Sequence, residues 1–426
     1  GREGEGRREG QEGRGKVNLE DAKTRRYEGV FLMIRSLIVC AMAAWLVPGV
    51  RAEVPFGDRV VLRGELANAR AKFSSGGRGR VAFLGGSITE MDGYRPMVCE
   101  ILKRRFPETE FSFISAGISS TTSIAGAFRL ERDVFGEGPV DLLFVEFAVN
   151  DDQDGRYRRQ ECIRGMEGIL RHARLLNPRI DIVMTHFVNE GMLATYDRGA
   201  VPTSIAAHEA VARHYGVSTI HMARQLWLEI EAGTFSWSEY GGVHPAPAGN
   251  AKCAGMIDEL FRRAWGVETT PPTASSAYSL PAEPLDRFSY FRGRCVPPDQ
   301  AEWTAGWSIS VPDWGALPGE KRERFSSIPM LVSTTVGATL ELSFEGACVG
   351  ANIVAGPDAG MVEVRIDDGP VRTLDLYHDY SRGLHYPRTL IFADELPAGR
   401  HRLRLSLAEE ARGAGQAIRI IEFVTN

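Results

Sequence analysis

Between residues 81 and 265 the sequence alternates short, near-continuous apolar runs with longer stretches of helical periodicity, and few folds accommodate that alternation. Residues 81–85, 111–115, 142–148, 181–186 and 217–221 read as strands. Residues 96–105, 123–133, 160–176, 203–215 and 248–265 read as helices. Strands that lack polar alternation are covered on both faces. The pattern therefore predicts an α/β domain with a doubly wound, flavodoxin-like parallel sheet over residues 53–268. In such sheets ligands gather at the carboxyl ends of the strands.

Past residue 269 the pattern changes. Residues 269–286 are rich in Thr, Pro, Ser and Ala and read as a linker. Short alternating runs follow at 330–334, 339–344, 362–366, 388–392, 401–407 and 417–424. Turn signals such as Asp367-Asp368-Gly369 separate them, which predicts an all-β sandwich or jelly roll over 287–426.

The other end of the chain is different again. Residues 1–32 are mostly Gly, Arg, Glu, Lys and Gln, too polar to bury a core, and read as a disordered extension. Met33 has the character of a start residue. Residues 33–52 carry a basic residue, an apolar run and a small-residue cleavage site, the pattern of a signal peptide. The run is shorter than the ~20 residues of a spanning helix. The expectation is a secreted or periplasmic protein with no stable membrane span after cleavage. A formal net charge of −5 gives no support to nucleic-acid binding. Of six cysteines, Cys40 lies in the signal segment, and the remaining five are widely spaced without a CxxC. Buried free thiols are expected rather than a zinc site or disulfide framework.

Four local features carry chemistry, each at a strand end or before a helix. Gly85-Gly86-Ser87 ends the first strand, where glycines permit a tight turn and close approach of substrate. The continuation with Thr89 is neither G-x-S-x-G nor a P-loop. Ala116-Gly117 ends the second strand, and Ala148-Val149-Asn150-Asp151 follows the third. His244 lies in Gly241-Gly242-Val243-His244-Pro245, held extended by the proline and placed to act as a base.

In this order the four features resemble the blocks of the SGNH hydrolases, or GDSL lipases/esterases. Gly85-Gly86-Ser87 stands at the Gly-Asp-Ser block, Gly117 at the second-block glycine, residues 148–151 at Gly-x-Asn-Asp and residues 241–244 at Asp-x-x-His. The resemblance implies Ser87 as nucleophile and His244 as general base. It also implies an oxyanion hole from the Ser87 and Gly117 amides and the Asn150 side chain, with no metal or organic cofactor. It departs from the family at Gly86, at Ala148 and, most seriously, at Gly241, where the triad aspartate belongs. Loss of that orienting group lowers kcat by on the order of 10^4 unless something replaces it. A backbone carbonyl acting in a Ser–His dyad is one replacement. A carboxylate from Glu239, Glu90, Asp92 or Asp151 is the other.

Glu146 interrupts a buried strand and needs a partner there, with Arg95 or Arg129 as candidates. His186, at the end of the fourth strand, reads as pocket lining or as a core or capping residue. Trp303, Trp307, Trp314, Tyr377, Tyr380 and Tyr386 are available for sugar stacking or for core packing. The polar aromatic stretch 375–386 is expected to border the catalytic crevice. Several carbohydrate esterases of the superfamily carry an added β-sandwich. The resulting expectation is a secreted serine esterase that removes acyl groups, acetyl foremost, from a polysaccharide or small acylated molecule. The alternatives are a lipase or lysophospholipase and a catalytically weak carbohydrate-binding protein.

Overall fold

The computed structural model describes residues 54–266, 275–410 and 415–426. The expected extension and signal peptide lie outside them, as does part of the linker. Six strands form the first sheet: β1 (Val60–Val61), β2 (Gly77–Gly85), β3 (Thr109–Gly117), β4 (Leu142–Glu146), β5 (Asp181–Thr185) and β6 (Ser218–Ile220). Their order is β1-β6-β5-β4-β2-β3. All pairings are parallel except that of β1, which lies antiparallel on β6. The five parallel strands thus have the flavodoxin-like order 2-1-3-4-5 expected of a doubly wound sheet.

Helices α1 (Tyr94–Arg105), α2 (Ser123–Leu130), α3 (Arg159–Leu176), α4 (Thr203–Tyr215) and α5 (Pro247–Trp265) cover the sheet. Strand β2 shows how. Val81 and Phe83 join α1 and α5 through Val98, Leu102, Ile257 and Phe261. Ala82 and Leu84 join α2 and α3 through Phe128, Met166 and Ile169 on the opposite face. Burying a side chain of this size contributes about 1.5–3 kcal/mol. The helix expected to reach residue 133 instead ends at Leu130 and continues as a π-helical turn, Glu131–Phe135.

The C-terminal part has two sheets. One has the order Arg372–Asp375, Met361–Ile366, Arg400–Leu407, Thr339–Glu345, Glu302–Trp303. Alternation sets its inward face: Leu340 lies opposite Leu405 and Leu342 opposite Leu403, all buried. The other sheet is built around Val349–Ala355, which pairs with Leu384–Ala393 and Ile418–Thr425. Sequence patterning missed Val349–Ala355 because Gly350 and Asn352 interrupt its apolar run. Val349, Ala351 and Ile353 fill the sandwich, while Val354 packs outward with Phe325 and Met330.

The two parts share a core. Cys348 and Val424 of the sandwich lie in the same apolar cluster as Leu84 and Phe128. The stretch expected to be a linker is, in its described residues 275–286, without helix or strand but firmly pinned. Asn68 and Ser276 exchange two hydrogen bonds of 2.9 Å, and Glu167 accepts from the Leu285 and Asp286 amides at 2.6 and 2.9 Å. Arg164 then ties Asp286 (2.9 Å) to Asp394 (2.8 Å) of the sandwich. Cys99, Cys162, Cys253, Cys295 and Cys348 are free thiols, all buried but the half-buried Cys295.

Candidate active site

Strand β2 delivers Gly86 to a turn, and Ser87 opens the short helix Ser87–Glu90. Two features fix that turn. The Gly86 amide donates to Glu146 Oε1 at 2.9 Å, and the Thr89 hydroxyl donates to the same oxygen at 2.7 Å. Asn150 Oδ1 lies where a Cβ on Gly86 would fall, 2.2 Å from it. A side chain at position 86 is therefore incompatible with Asn150 as placed.

Glu146 is fully buried, and burial pushes its carboxyl up to about 7. It pairs with neither arginine expected. Arg95 binds Asp92 and the Thr89 carbonyl. Arg129, itself buried, donates to Ala116 O (2.7 Å), Gly85 O (3.0 Å) and Asp133 (3.0 Å). It thereby ties together the ends of β2 and β3, the two strands that carry Ser87 and Gly117. Gly85 and Gly117 are register partners, and a Cβ on Gly117 would fall 2.3 Å from the Glu90 amide nitrogen.

His244 Nε2 lies 2.8 Å from Ser87 Oγ, joining residues 157 apart in sequence. The loop that carries it is closed by the Ala246 amide on Tyr240 O (2.7 Å) and held by Asn250 Nδ2 on Pro245 O (2.5 Å). Gly241 has φ +102°, and a Cβ there would fall 2.2 Å from the Ala246 nitrogen. The loop is built around a residue without a side chain, so no aspartate could occupy it in this shape.

Among the described residues, no carboxylate lies within hydrogen-bond or ion-pair distance of His244. Asp151 accepts from the Ser123 amide (2.8 Å) and hydroxyl (2.6 Å) and lies 2.8 Å from His208 Nε2. Glu90 accepts from the Ser119 amide and Arg324, Asp92 from Arg95, and Glu239 from the Ser236 hydroxyl.

Asn150 sits in the first turn of the short helix Ala148–Gln153 rather than on a strand end. Its Nδ2 donates to Asp154 Oδ2 at 2.9 Å. The sandwich reaches this point: Tyr386 donates to Asp154 Oδ1 at 2.7 Å, and His378 Nε2 lies 3.0 Å from Asp154 O. The polar aromatic stretch thus reaches Asp154, and with Asp154, Arg156 and Tyr157 it lines a cavity of ≈ 400 Å³ that Ser87 and His244 do not line. Tyr386 and Trp307 are buried and unavailable to a sugar, whereas Tyr380 and Trp303 are exposed. Asp154 and Asn250 were missed in the sequence, and Arg129, expected beside Glu146, ties the strand ends instead. Asn250 holds the Pro245 carbonyl five residues before it, whereas Asp154 takes its contact with the sandwich from Tyr386, 232 residues away.

Residues 83–252 match the GDSL-like Lipase/Acylhydrolase family. The chain carries a GDSL-like hydrolase domain. This domain and its sandwich share a fold with a two-domain esterase (CEX) active on acetylated mannans, solved with and without mannopentaose. The mannopentaose complex is 21% identical with a TM-score of 0.70, covering 88% of this chain and 98% of that one. The other structure is 22% identical with a TM-score of 0.68, covering 86% and 96%. No curated protein matches in sequence. The GDSL-like domain makes the chain a carboxylic ester hydrolase.

Proposed function

We propose that this hydrolase removes acetyl groups from an acetylated polysaccharide by a Ser87–His244 mechanism. The observation that carries the reading is the 2.8 Å contact between Ser87 Oγ and His244 Nε2 at the carboxyl edge of the sheet. Similarity of fold to an esterase active on acetylated mannans supports the substrate class. In this reading Ser87 Oγ attacks the ester carbonyl carbon as its proton passes to His244. The tetrahedral oxyanion is held by the Ser87 and Gly117 amides and Asn150 Nδ2. Each such donor contributes on the order of 10²–10³ in kcat. The imidazolium returns its proton to the sugar oxygen that leaves. Water, deprotonated by His244, then attacks the acyl-enzyme and releases acetate. In this reading the enzyme works as a dyad, because Gly241 carries no side chain and the candidate carboxylates Asp151, Glu90, Asp92 and Glu239 bind other partners. The apolar run 36–47 supports export of the chain.

The test is acetate release from acetylated mannan and xylan, with p-nitrophenyl esters of increasing chain length, beside Ser87→Ala and His244→Ala. Release from the acetylated glycans that both variants abolish is expected. Activity on long acyl chains alone would replace this reading with the lipase one. No release above the Ser87→Ala background would leave a carbohydrate-binding protein.

A further inference from the structure

A second cluster lies two strands away from Ser87, at the carboxyl ends of β5 and β6. His186 follows β5, His221 follows β6, and Glu209 projects from α4. Glu209 Oε2 lies 3.2 Å from His221 Nε2 and 3.6 Å from His186 Nε2. His186 is fully buried, yet neither of its ring nitrogens has a hydrogen-bond partner, and Glu209 Oε2 has none either. Buried polar atoms left this way cost stability, and His186 Nε2 and Glu209 Oε2 face the same point as His221 Nε2, which calls for an occupant.

The spacing suits a bound cation. Zinc bonds of about 2.0–2.2 Å to nitrogen and oxygen, arranged tetrahedrally, put neighbouring ligand atoms about 3.3 Å apart. Two imidazoles and a carboxylate suit a borderline-soft divalent cation. Arg63 pairs with Glu209 Oε1, which orients the carboxylate with Oε2 toward the rings. The Thr219 hydroxyl, 3.2 Å from His221 Nε2, also accepts from Arg63 (3.1 Å) and yields its place on the ring when a cation binds. His221 and Glu209 also line a cavity of ≈ 420 Å³ beside Tyr196 and Trp227, which provides an entry path. The other group with metal-ligand character, Asp151, Cys162 and His208, is different, because Asp151 is already satisfied by Ser123 and His208.

We propose that His186, Glu209 and His221 form a structural site for a divalent transition cation, zinc foremost, with its fourth position open to water from the cavity. The cation staples α4 to β5 and β6. His208, next to Glu209 on α4, holds Asp151, so the staple fixes the helix that carries Asn150.

The test uses full-length protein stripped with a chelator and titrated with zinc chloride. One saturable equivalent and a rise in Tm of several degrees are expected. Both should be lost in His221→Ala and Glu209→Gln and kept in His244→Ala. Cobalt chloride added to the stripped wild type should give visible d–d bands of a low-coordinate site, a readout independent of how the variants fold. Absence of saturable zinc binding and of the cobalt bands would overturn the proposal. Undiminished zinc stoichiometry in folded His221→Ala and Glu209→Gln would do the same.

Discussion

Tyr386 donates its hydroxyl hydrogen to Asp154 across 2.7 Å, joining the sandwich to the residue that holds Asn150. Tyr386→Phe leaves a buried acceptor oxygen unsatisfied, a loss of about 1–3 kcal/mol. The variant should lose that much in urea unfolding, and its kcat on p-nitrophenyl acetate should fall about tenfold with KM nearly unchanged. Wild-type kcat in Tyr386→Phe would show that Asn150 does not depend on this contact.

Gly241→Asp restores the residue expected by family pattern, yet it should not restore a triad. The positive φ and the Ala246 backbone oppose any side chain there. Destabilisation of more than about 1 kcal/mol is expected, together with lower kcat. A gain in kcat, measured with thermal melts on the same preparation, would refute the loop geometry described above.

Glu146 makes stability depend on pH. Burial raises its folded-state carboxyl from 4.5 to about 7. A group raised in the folded state stabilises the fold fully below its unfolded pKa, and that contribution is lost as pH rises through the folded value. The wild type should therefore lose stability relative to Glu146→Gln between about pH 4.5 and 7, by up to about 3 kcal/mol. Chemical denaturation of both proteins at pH 4.5, 6 and 8 measures the difference. Parallel pH profiles would mean that Glu146 titrates normally.

Asn250→Ala removes the donor that holds the Pro245 carbonyl beside His244. We expect about 1 kcal/mol of destabilisation and a larger relative loss in kcat than in stability, because the His244 loop loosens. Equal losses of activity in Asn250→Ala and in a remote variant of similar stability would count against a positioning role.

Strands β2 to β5 and the long helices were legible because a parallel sheet buries both faces and writes itself as apolar runs. The blocks around Ser87, Gly117 and Asn150 were legible for a related reason, since each sits where one of those runs stops, and His244 was legible from the Gly/Pro loop before the last helix. What supports them was not. Glu146 was visible as an anomaly, but its partners, the Gly86 amide and the Thr89 hydroxyl, follow from the fold of the turn. Asp154 and Tyr386 lie 232 residues apart, and no local pattern connects them. Val349–Ala355 escaped because Gly350 and Asn352 break its run.

The pinned stretch 275–286 and the core shared by Cys348, Val424 and Phe128 bear on how this architecture can be recombined. A sandwich grafted from another protein would have to supply apolar side chains for Phe128 and Leu84, acids for Arg164 and a hydroxyl for Asp154. The sandwich is therefore not an interchangeable cassette. Inheritance and engineering alike must handle the hydrolase and its sandwich together, and cutting between them would turn two matched surfaces into two sticky ones.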